Sequence, residues 1–281
     1  MLIGLAGPSQ AGKNSIIEYL KENHSFEQLY PQSYACLSDL VDYCTEQWQC
    51  NHVITELEKF KDISGLLKRP FFLLVSVDAP PLLRYGRFQK RLDCMKGLEQ
   101  VQLKEFLHND HHLMYAATAG SSTSELMRQS HIHLLNDGLD MEFLYQKLHH
   151  LQLTNMERLR PSWDSYFIML CNLASQRSNC MKRRVGCLLV CSSRVIATGY
   201  NGTPRGIKNC NEGGCIRCNQ NSSCGANLDA CLCLHAEENA IIEAGRDRIS
   251  SGRSVLYCNT SPVKFISSSA WDAPKRLFNV E

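Results

Sequence analysis

The sequence predicts a two-domain α/β protein whose first domain is built on a doubly wound parallel sheet. Three observations carry this reading. The 281 residues are long for one hydrophobic core and natural for two. In the first half, short apolar runs alternate with helical stretches, the pattern of strands joined by crossover helices. Cysteine use then changes: four of the fifteen (Cys36, Cys44, Cys50, Cys94) are scattered through the first half, and eleven fall between Cys171 and Cys258.

The elements follow in chain order. MLIGLAG is a short apolar strand, and residues 12–22 continue as a helix. FFLLVSVDA (71–79) is nearly all apolar, as a strand buried on both faces should be. Pro80 and Pro81 open a basic helix, PPLLRYGRFQKR. HIHLLND is a further strand and DMEFLYQKLHH a further helix. The polar connector LTNMERLRPSW puts the boundary near residue 155, giving domains 1–154 and 155–281. The second domain begins with the helix WDSYFIMLCNLASQR. RVGCLLVCSSRVIATGYN then reads as two strands around a turn at Ser192–Ser193. A loop rich in Gly, Asn and Cys runs from Asn201 to about Leu234, followed by the helix HAEENAIIEAG, with Gly245 as its C-cap. SVLYCN is a third strand.

Hydrophobic residues make up 44% and charged residues 21%, ordinary for a globular chain. The net charge of +2 provides no basic field for nucleic acid or a membrane surface. No apolar run reaches bilayer-spanning length. MLIGLAGPSQ lacks the basic flank and long apolar stretch of a secretory signal, so a cytosolic or nuclear location is expected. In a reducing compartment, clustered cysteines favour metal binding or core packing over disulfides.

GPSQAGKN, residues 7–14, matches G-x-x-x-x-G-K between a strand and a helix. That context places backbone N–H groups and a helix N-terminus around an anion, with Lys13 as a point charge. Gly7, Gly12, Lys13 and Asn14 are the candidate nucleotide-binding residues. Asn14 stands where Ser or Thr ordinarily ligates magnesium, and no acidic base can be placed. With VDAPPLLRYGRFQKR and LLNDGLDMEFLYQKL, this half resembles the small nucleoside and nucleotide kinases, including dephospho-coenzyme A kinase. The resemblance implies a phosphate-loop kinase-like fold used for binding or structure, with Mg²⁺ as the companion of a bound effector nucleotide. The alternative is a phosphotransferase working through Lys13.

HAEENA places His235 and Glu237 at a helix start. His-x-Glu is half of the zinc nucleobase-deaminase signature, whose other half is Pro-Cys-x-x-Cys. The chemistry explains the residue types: His235 and two thiolates would hold Zn²⁺ with an open position for water, and Glu237 would move the water's proton. Cys210, Cys215, Cys218, Cys231 and Cys233 form a separate group with metal-like spacing. Cys171, Cys187 and Cys191 lie in apolar elements and read as core thiols.

LASQRSNCMKRRVGCLLV, ATGYNGTPRGIKNCNEGGCIRCN, CLCLHAEENAIIEAGRDR and LYCNT together closely resemble fungal deoxycytidylate deaminases, which also carry a kinase-like N-terminal half. The resemblance implies a cytidine-deaminase-like α/β/α domain hydrolysing dCMP to dUMP and ammonia for thymidylate supply. It also implies a hexamer activated by dCTP and inhibited by dTTP. Asn201 would bond the sugar or base edge of the substrate. Thr203, Arg205 and the stretch Lys182–Arg184, Arg184 included, are candidates for phosphate or effector. A second, structural zinc is implied at Cys180, Cys210, Cys231 and Cys233.

The resemblance stops after Pro262. In NTSPVKFISSSAW, Val263 and Ile266 occupy the two cysteine positions, and neither side chain can donate to zinc. The change is expected to mark an altered final exon, a frameshift or a read-through intron. The catalytic site is then incomplete and activity impaired. With the following helix gone, one sheet face is expected to lose its cover and the third strand to become an exposed edge. A zinc-stapled, catalytically inactive partner of a complete enzyme is the alternative reading.

Overall fold

The structure is a computed structural model and describes residues 1–94, 101–116, 121–249, 254–260 and 276–280. It forms two compact units, Met1–Arg160 and Pro161–Glu281. The first therefore runs past the expected end at residue 154. Leu153 is buried in its core and Leu159 packs against it. Arg158 ties the segment back by donating to the carbonyls of Leu151 and Gln152.

The first unit comprises β1 (Leu2–Ala6), α1 (Lys13–His24), β2 (Glu27–Leu29), α2 (Leu37–Glu46), β3 (His52–Ile54), α3 (Ser64–Leu67), β4 (Phe72–Asp78), α4 (Pro81–Cys94), α5 (Leu103–Tyr115), α6 (Thr123–Arg128), β5 (Ile132–Leu135) and α7 (Met141–Leu151). The five strands run parallel in the order β2-β3-β1-β4-β5. Strand side chains alternate between faces, and here both faces are apolar. Ile3, Leu5, Leu73, Val75 and Val77 join one cluster with Ile16 and Leu20 of α1 and Leu144 and Leu148 of α7. Leu2, Ala6, Phe72 and Leu74 join the other with Leu40 of α2 and Leu126 of α6. The continuous apolar run predicted for the central strand is therefore a consequence of burial on two sides. β2 and β3, of three residues each, were too short for their period to register in the sequence.

The second unit comprises α8 (Trp163–Ser175), β6 (Gly186–Cys191), β7 (Arg194–Tyr200), α9 (Ile216–Asn219), α10 (Ala236–Ile249), β8 (Ser254–Cys258) and β9 (Arg276–Val280). Its sheet order is β7-β6-β8-β9 and its pairings are antiparallel. Ser192 and Ser193 form the predicted turn, both with positive φ. Cys187 and Leu189 face Ala236, Ala240 and Ala244 of α10, whereas Leu188 and Val190 face Phe167 and Cys171 of α8. Both faces of β6 are covered, contrary to the expected bare face. Nor is β8 an edge: β9 pairs along it, because even a five-residue segment can complete an antiparallel backbone ladder. Gly245 (φ 69°) breaks α10 where a C-cap was expected, and one more turn follows. No helix among the described residues is long and apolar enough to cross a membrane.

One buried ion pair lies between helices of the first unit. Arg84 of α4 donates to both carboxylate oxygens of Asp110 on α5, at 2.5 and 2.8 Å, and the two side chains are 5% and 11% exposed. Asp110→Ala leaves the guanidinium buried without its counter-charge. The expected loss is about 3–5 kcal/mol, read as an earlier urea transition of the first unit. A loss below about 1 kcal/mol would show that water already screens the pair.

Candidate active site and metal centre

The sequence pair His235 and Glu237 is presented by the first turn of α10. That turn is fixed from three sides. Gly202 and Leu234 exchange backbone hydrogen bonds of 2.8 and 3.3 Å. Asn239 Nδ2 donates to the Tyr200 carbonyl at 2.9 Å, and Glu238 accepts the N–H of His235 at 3.0 Å. The helix also lies directly on β7: a Cβ on Gly199 would fall 2.1 Å from the Ala236 carbonyl oxygen and 2.5 Å from the Ala240 nitrogen. Only glycine permits this approach.

His235 is exposed and Glu237 half-buried. Glu237 Oε1 accepts a hydrogen bond from the Cys258 thiol at 3.4 Å, so the thiol at the end of β8 is directed at the carboxylate. The neighbouring Cys187 thiol draws the Cys258 pKa below its ordinary value, against burial, which raises it. Among the described residues, His235 joins no group of three or more His, Cys, Asp or Glu side chains within metal-binding reach. Val263 and Ile266 lie outside the described residues, and neither has a donor atom. The described residues, with Val263 and Ile266 in the two cysteine positions, therefore do not complete a catalytic zinc site, which takes three protein ligands.

Asn201, expected at a substrate edge, is engaged inside the protein. Its Oδ1 accepts from Ser178 Oγ at 2.7 Å and from the Val185 N–H at 2.9 Å. Its Nδ2 donates to the Arg183 carbonyl at 2.8 Å, leaving one hydrogen free. The residue locks the loop before β6 to the end of β7. Beside it lies a cleft of about 340 Å³ lined by Arg177, Ser178, Asn179, Arg184, Tyr200 and Asn209 among others. Arg184 is thus a cleft residue. Thr203 and Arg205 are not among its lining residues: Thr203 turns its N–H to Asn179 Oδ1 at 3.1 Å, and Arg205 is exposed on the outgoing loop. Arg177 and Asn179 escaped the sequence reading because nothing in LASQRSN marks which polar side chains share a concave surface.

The thiols corrected one expectation. Cys180, Cys210 and Cys233 converge as expected, but their fourth neighbour is Cys218, with all four sulfurs within 4.8 Å of one another. Cys231 falls instead into a second set with Cys215, Cys218 and Cys233. Cys218 sits on the single turn α9 with Cys215 as its N-cap residue, and this turn carries its thiol inward. The Cys215-x₂-Cys218 spacing was the available signal. Burial first, then neighbouring thiols, push Cys218 and Cys233 up. Burial also opposes ionisation of Cys215, but hydrogen bonds from the Cys218 and Leu232 N–H groups and from the Cys218 and Cys231 thiols together lower the value to about 6. A set of four sulfurs suits zinc, which binds such sets tetrahedrally.

In the first unit, Gly7 to Lys13 wrap the start of α1. Gly12 has φ 107°, a left-handed conformation that favours glycine. A Cβ on Gly7 would strike the Val77 carbonyl at 2.0 Å. Lys13 Nζ donates to the carbonyls of Gly7 and Pro8 at 2.6 and 2.9 Å, and burial lowers its pKa. Gly12, Lys13, Asn14 and Ser15 line a cleft of about 500 Å³ with Arg87, Lys90 and Arg91.

Asn201→Ala removes the partner of the Val185 N–H and of the Arg183 carbonyl. Stranding these groups is expected to cost about 1–3 kcal/mol, seen as a lower thermal midpoint of the second unit. An unchanged midpoint would show that water replaces the side chain.

The chain matches the family model of the cytidine and deoxycytidylate deaminase zinc-binding region over residues 161–264. It is 45% identical over 278 residues to the deoxycytidylate deaminase of Schizosaccharomyces pombe, covering 92% of this chain and 84% of that protein. Identity to the deoxycytidylate deaminase of Saccharomyces cerevisiae is 40% over 274 residues, covering 93% and 83%. A crystal structure of dCMP deaminase from cyanophage S-TIM5, in complex with dCMP and dUMP, is 30% identical over 37% of this chain and 68% of its own, with a TM-score of 0.26. With both fungal proteins matched across most of their length and through both units, the chain belongs to the deoxycytidylate deaminase family.

Proposed function

We propose that the second unit is built for hydrolytic deamination of dCMP to dUMP and ammonia, and that Val263 and Ile266 leave this chain far slower than one with cysteines there. The observation that carries the reading is the placement of His235 and Glu237 on one helix turn, fixed against the end of β7, in a chain whose fungal relatives bear that activity as their name. In the reaction water adds to the ring carbon bearing the amino group, and ammonia leaves. Glu237 is half-buried and suited to take the water's proton and pass it to the ring nitrogen. Zinc with its full ligand set supplies hydroxide at neutral pH. His235 alone does not secure it, and the Cys258 thiol competes for the Glu237 carboxylate.

The cleft beside Asn201 supports the substrate class. Arg177 and Arg184, with Ser178 and Asn179, offer the charge-assisted donors that a phosphate monoester needs. By the same reading, dCTP activates and dTTP inhibits, the assembly is a hexamer, and the protein works in the cytosol or nucleus supplying thymidylate. The cleft at Lys13 suits the polyphosphate of a nucleotide, with Mg²⁺ entering alongside it. Its cations Lys13, Arg87, Lys90 and Arg91 favour binding over phosphoryl transfer. The single carboxylate among its lining residues, Asp140, caps α7 by accepting the Phe143 N–H at 2.9 Å and so is not placed as a base.

Turnover of dCMP by the purified chain, with zinc and dCTP supplied, tests the reading. We expect a low rate, raised by the double substitution Val263→Cys and Ile266→Cys, and reduced about 10²–10⁴-fold again when Glu237→Gln is added. A fast rate in the unaltered chain, or one indifferent to Glu237→Gln, would overturn it. Substrate recognition is tested separately. Arg184→Ala is expected to weaken dCMP binding about 10- to 150-fold by calorimetry, one charge-assisted hydrogen bond being worth about 1.5–3 kcal/mol. Unchanged binding would place the phosphate elsewhere.

A further inference from the structure

We propose that Cys180, Cys210, Cys215, Cys218, Cys231 and Cys233 hold two zinc ions in a single cluster, with Cys218 and Cys233 bridging both metals. The two four-sulfur sets, each with all sulfurs within 4.8 Å of one another, have Cys218 and Cys233 in common. Two tetrahedra joined along one edge need six ligands, two of them shared, and the sets have that composition. The sulfur separations agree. Cys218 lies 3.9 Å from Cys180 and 3.9 Å from Cys233, and a tetrahedron with zinc–sulfur bonds of about 2.3 Å has edges of about 3.8 Å.

A single zinc leaves this arrangement unexplained. Bound by Cys180, Cys210, Cys218 and Cys233, it strands Cys215 and Cys231 beside the metal without a role. Bound by the other set, it strands Cys180 and Cys210. When two Zn²⁺ enter and six thiol protons leave, every sulfur is used. The net charge is then −2, the same as for one zinc with four thiolates, but spread over six sulfurs. The surroundings donate to this charge. The Met181 N–H points at Cys210 Sγ at 3.5 Å. Arg217 Nη1 lies 3.9 Å from Cys231 Sγ, its Nε held by the Ala226 carbonyl at 2.8 Å.

Packing gives an independent reason. The six cysteines form a cluster of their own, Cys210, Cys215 and Cys218 buried and Cys180, Cys231 and Cys233 partly so, and no aliphatic or aromatic side chain joins it among the described residues. The segment from Asn201 to Leu234 carries only a 3₁₀ turn at Cys210–Glu212 and the four-residue α9 besides an isolated bridge. A segment of this length with no apolar core of its own needs a staple, and metal binding supplies folding free energy directly.

The test is zinc titration of the full chain, prepared metal-free under reducing conditions, with thiol alkylation and metal analysis as readouts. His235→Ala is the background, which removes any contribution from the deaminase helix. Saturation at two zinc ions per chain, with six thiols becoming protected as zinc is added, is the expected result. In ¹¹³Cd-substituted protein, two resonances coupled through shared sulfur are expected. Cys215→Ser with Cys231→Ser should retain one zinc, and so should Cys180→Ser with Cys210→Ser, since each pair leaves the other set whole. Saturation at one zinc with four thiols protected, two uncoupled cadmium signals, or formation of disulfides in place of metal binding would each overturn the proposal. Should either serine pair fail to fold, stoichiometry and cadmium coupling in the His235→Ala chain decide it.

Discussion

The second unit depends on the contact between α10 and β7 at Gly199. The helix backbone lies so close that a single methyl group would collide with it, and Ala236, Ala240 and Ala244, one turn apart, keep the helix face small along the same line. Because the approach is backbone to backbone, the height and rotation of the helix are set rigidly. Its first turn then meets the end of β7, where Tyr200 and Gly202 receive it. His235 and Glu237 point where they do because Gly199 has no side chain.

This contact also explains the setting of the Glu237 carboxylate. With α10 seated on the sheet, Glu237 reaches the end of β8, and the nearest thiol is Cys258. In a zinc deaminase that carboxylate works beside a metal held by a histidine and two thiolates. Here Val263 and Ile266 supply no such donors. The turn that carries His235 and Glu237 is held in place, and the positions Val263 and Ile266 bring no donor atom to it.

The two units solve the problem of stability differently. The first buries two apolar layers on a parallel sheet, and the deep ion pair of Arg84 and Asp110 joins helices already packed. The second has a thinner core and a long irregular segment beside it, in which six cysteines pack together. Asn209 and Asn211 of this segment form part of the rim of the cleft next to Asn201.

Much of this was legible in the sequence. The apolar run of β4, the glycines around Lys13, the turn at Ser192–Ser193 and the His-x-Glu pair are local patterns, and local patterns survive in one dimension. The lack of donors at Val263 and Ile266 was equally plain, since it follows from residue type alone. The tertiary structure decided what depends on distance between remote segments. It placed Cys218 and not Cys231 beside Cys180 and Cys210, because a single turn of helix at α9 redirects one thiol. It spent Asn201 on internal hydrogen bonds and left Arg184 lining the cleft. It also covered β8 with β9, a pairing made by backbone groups and so nearly silent in side-chain composition. Spacing along a chain tells which atoms can donate; only the fold brings donors from separate loops to within a bond length of the same point.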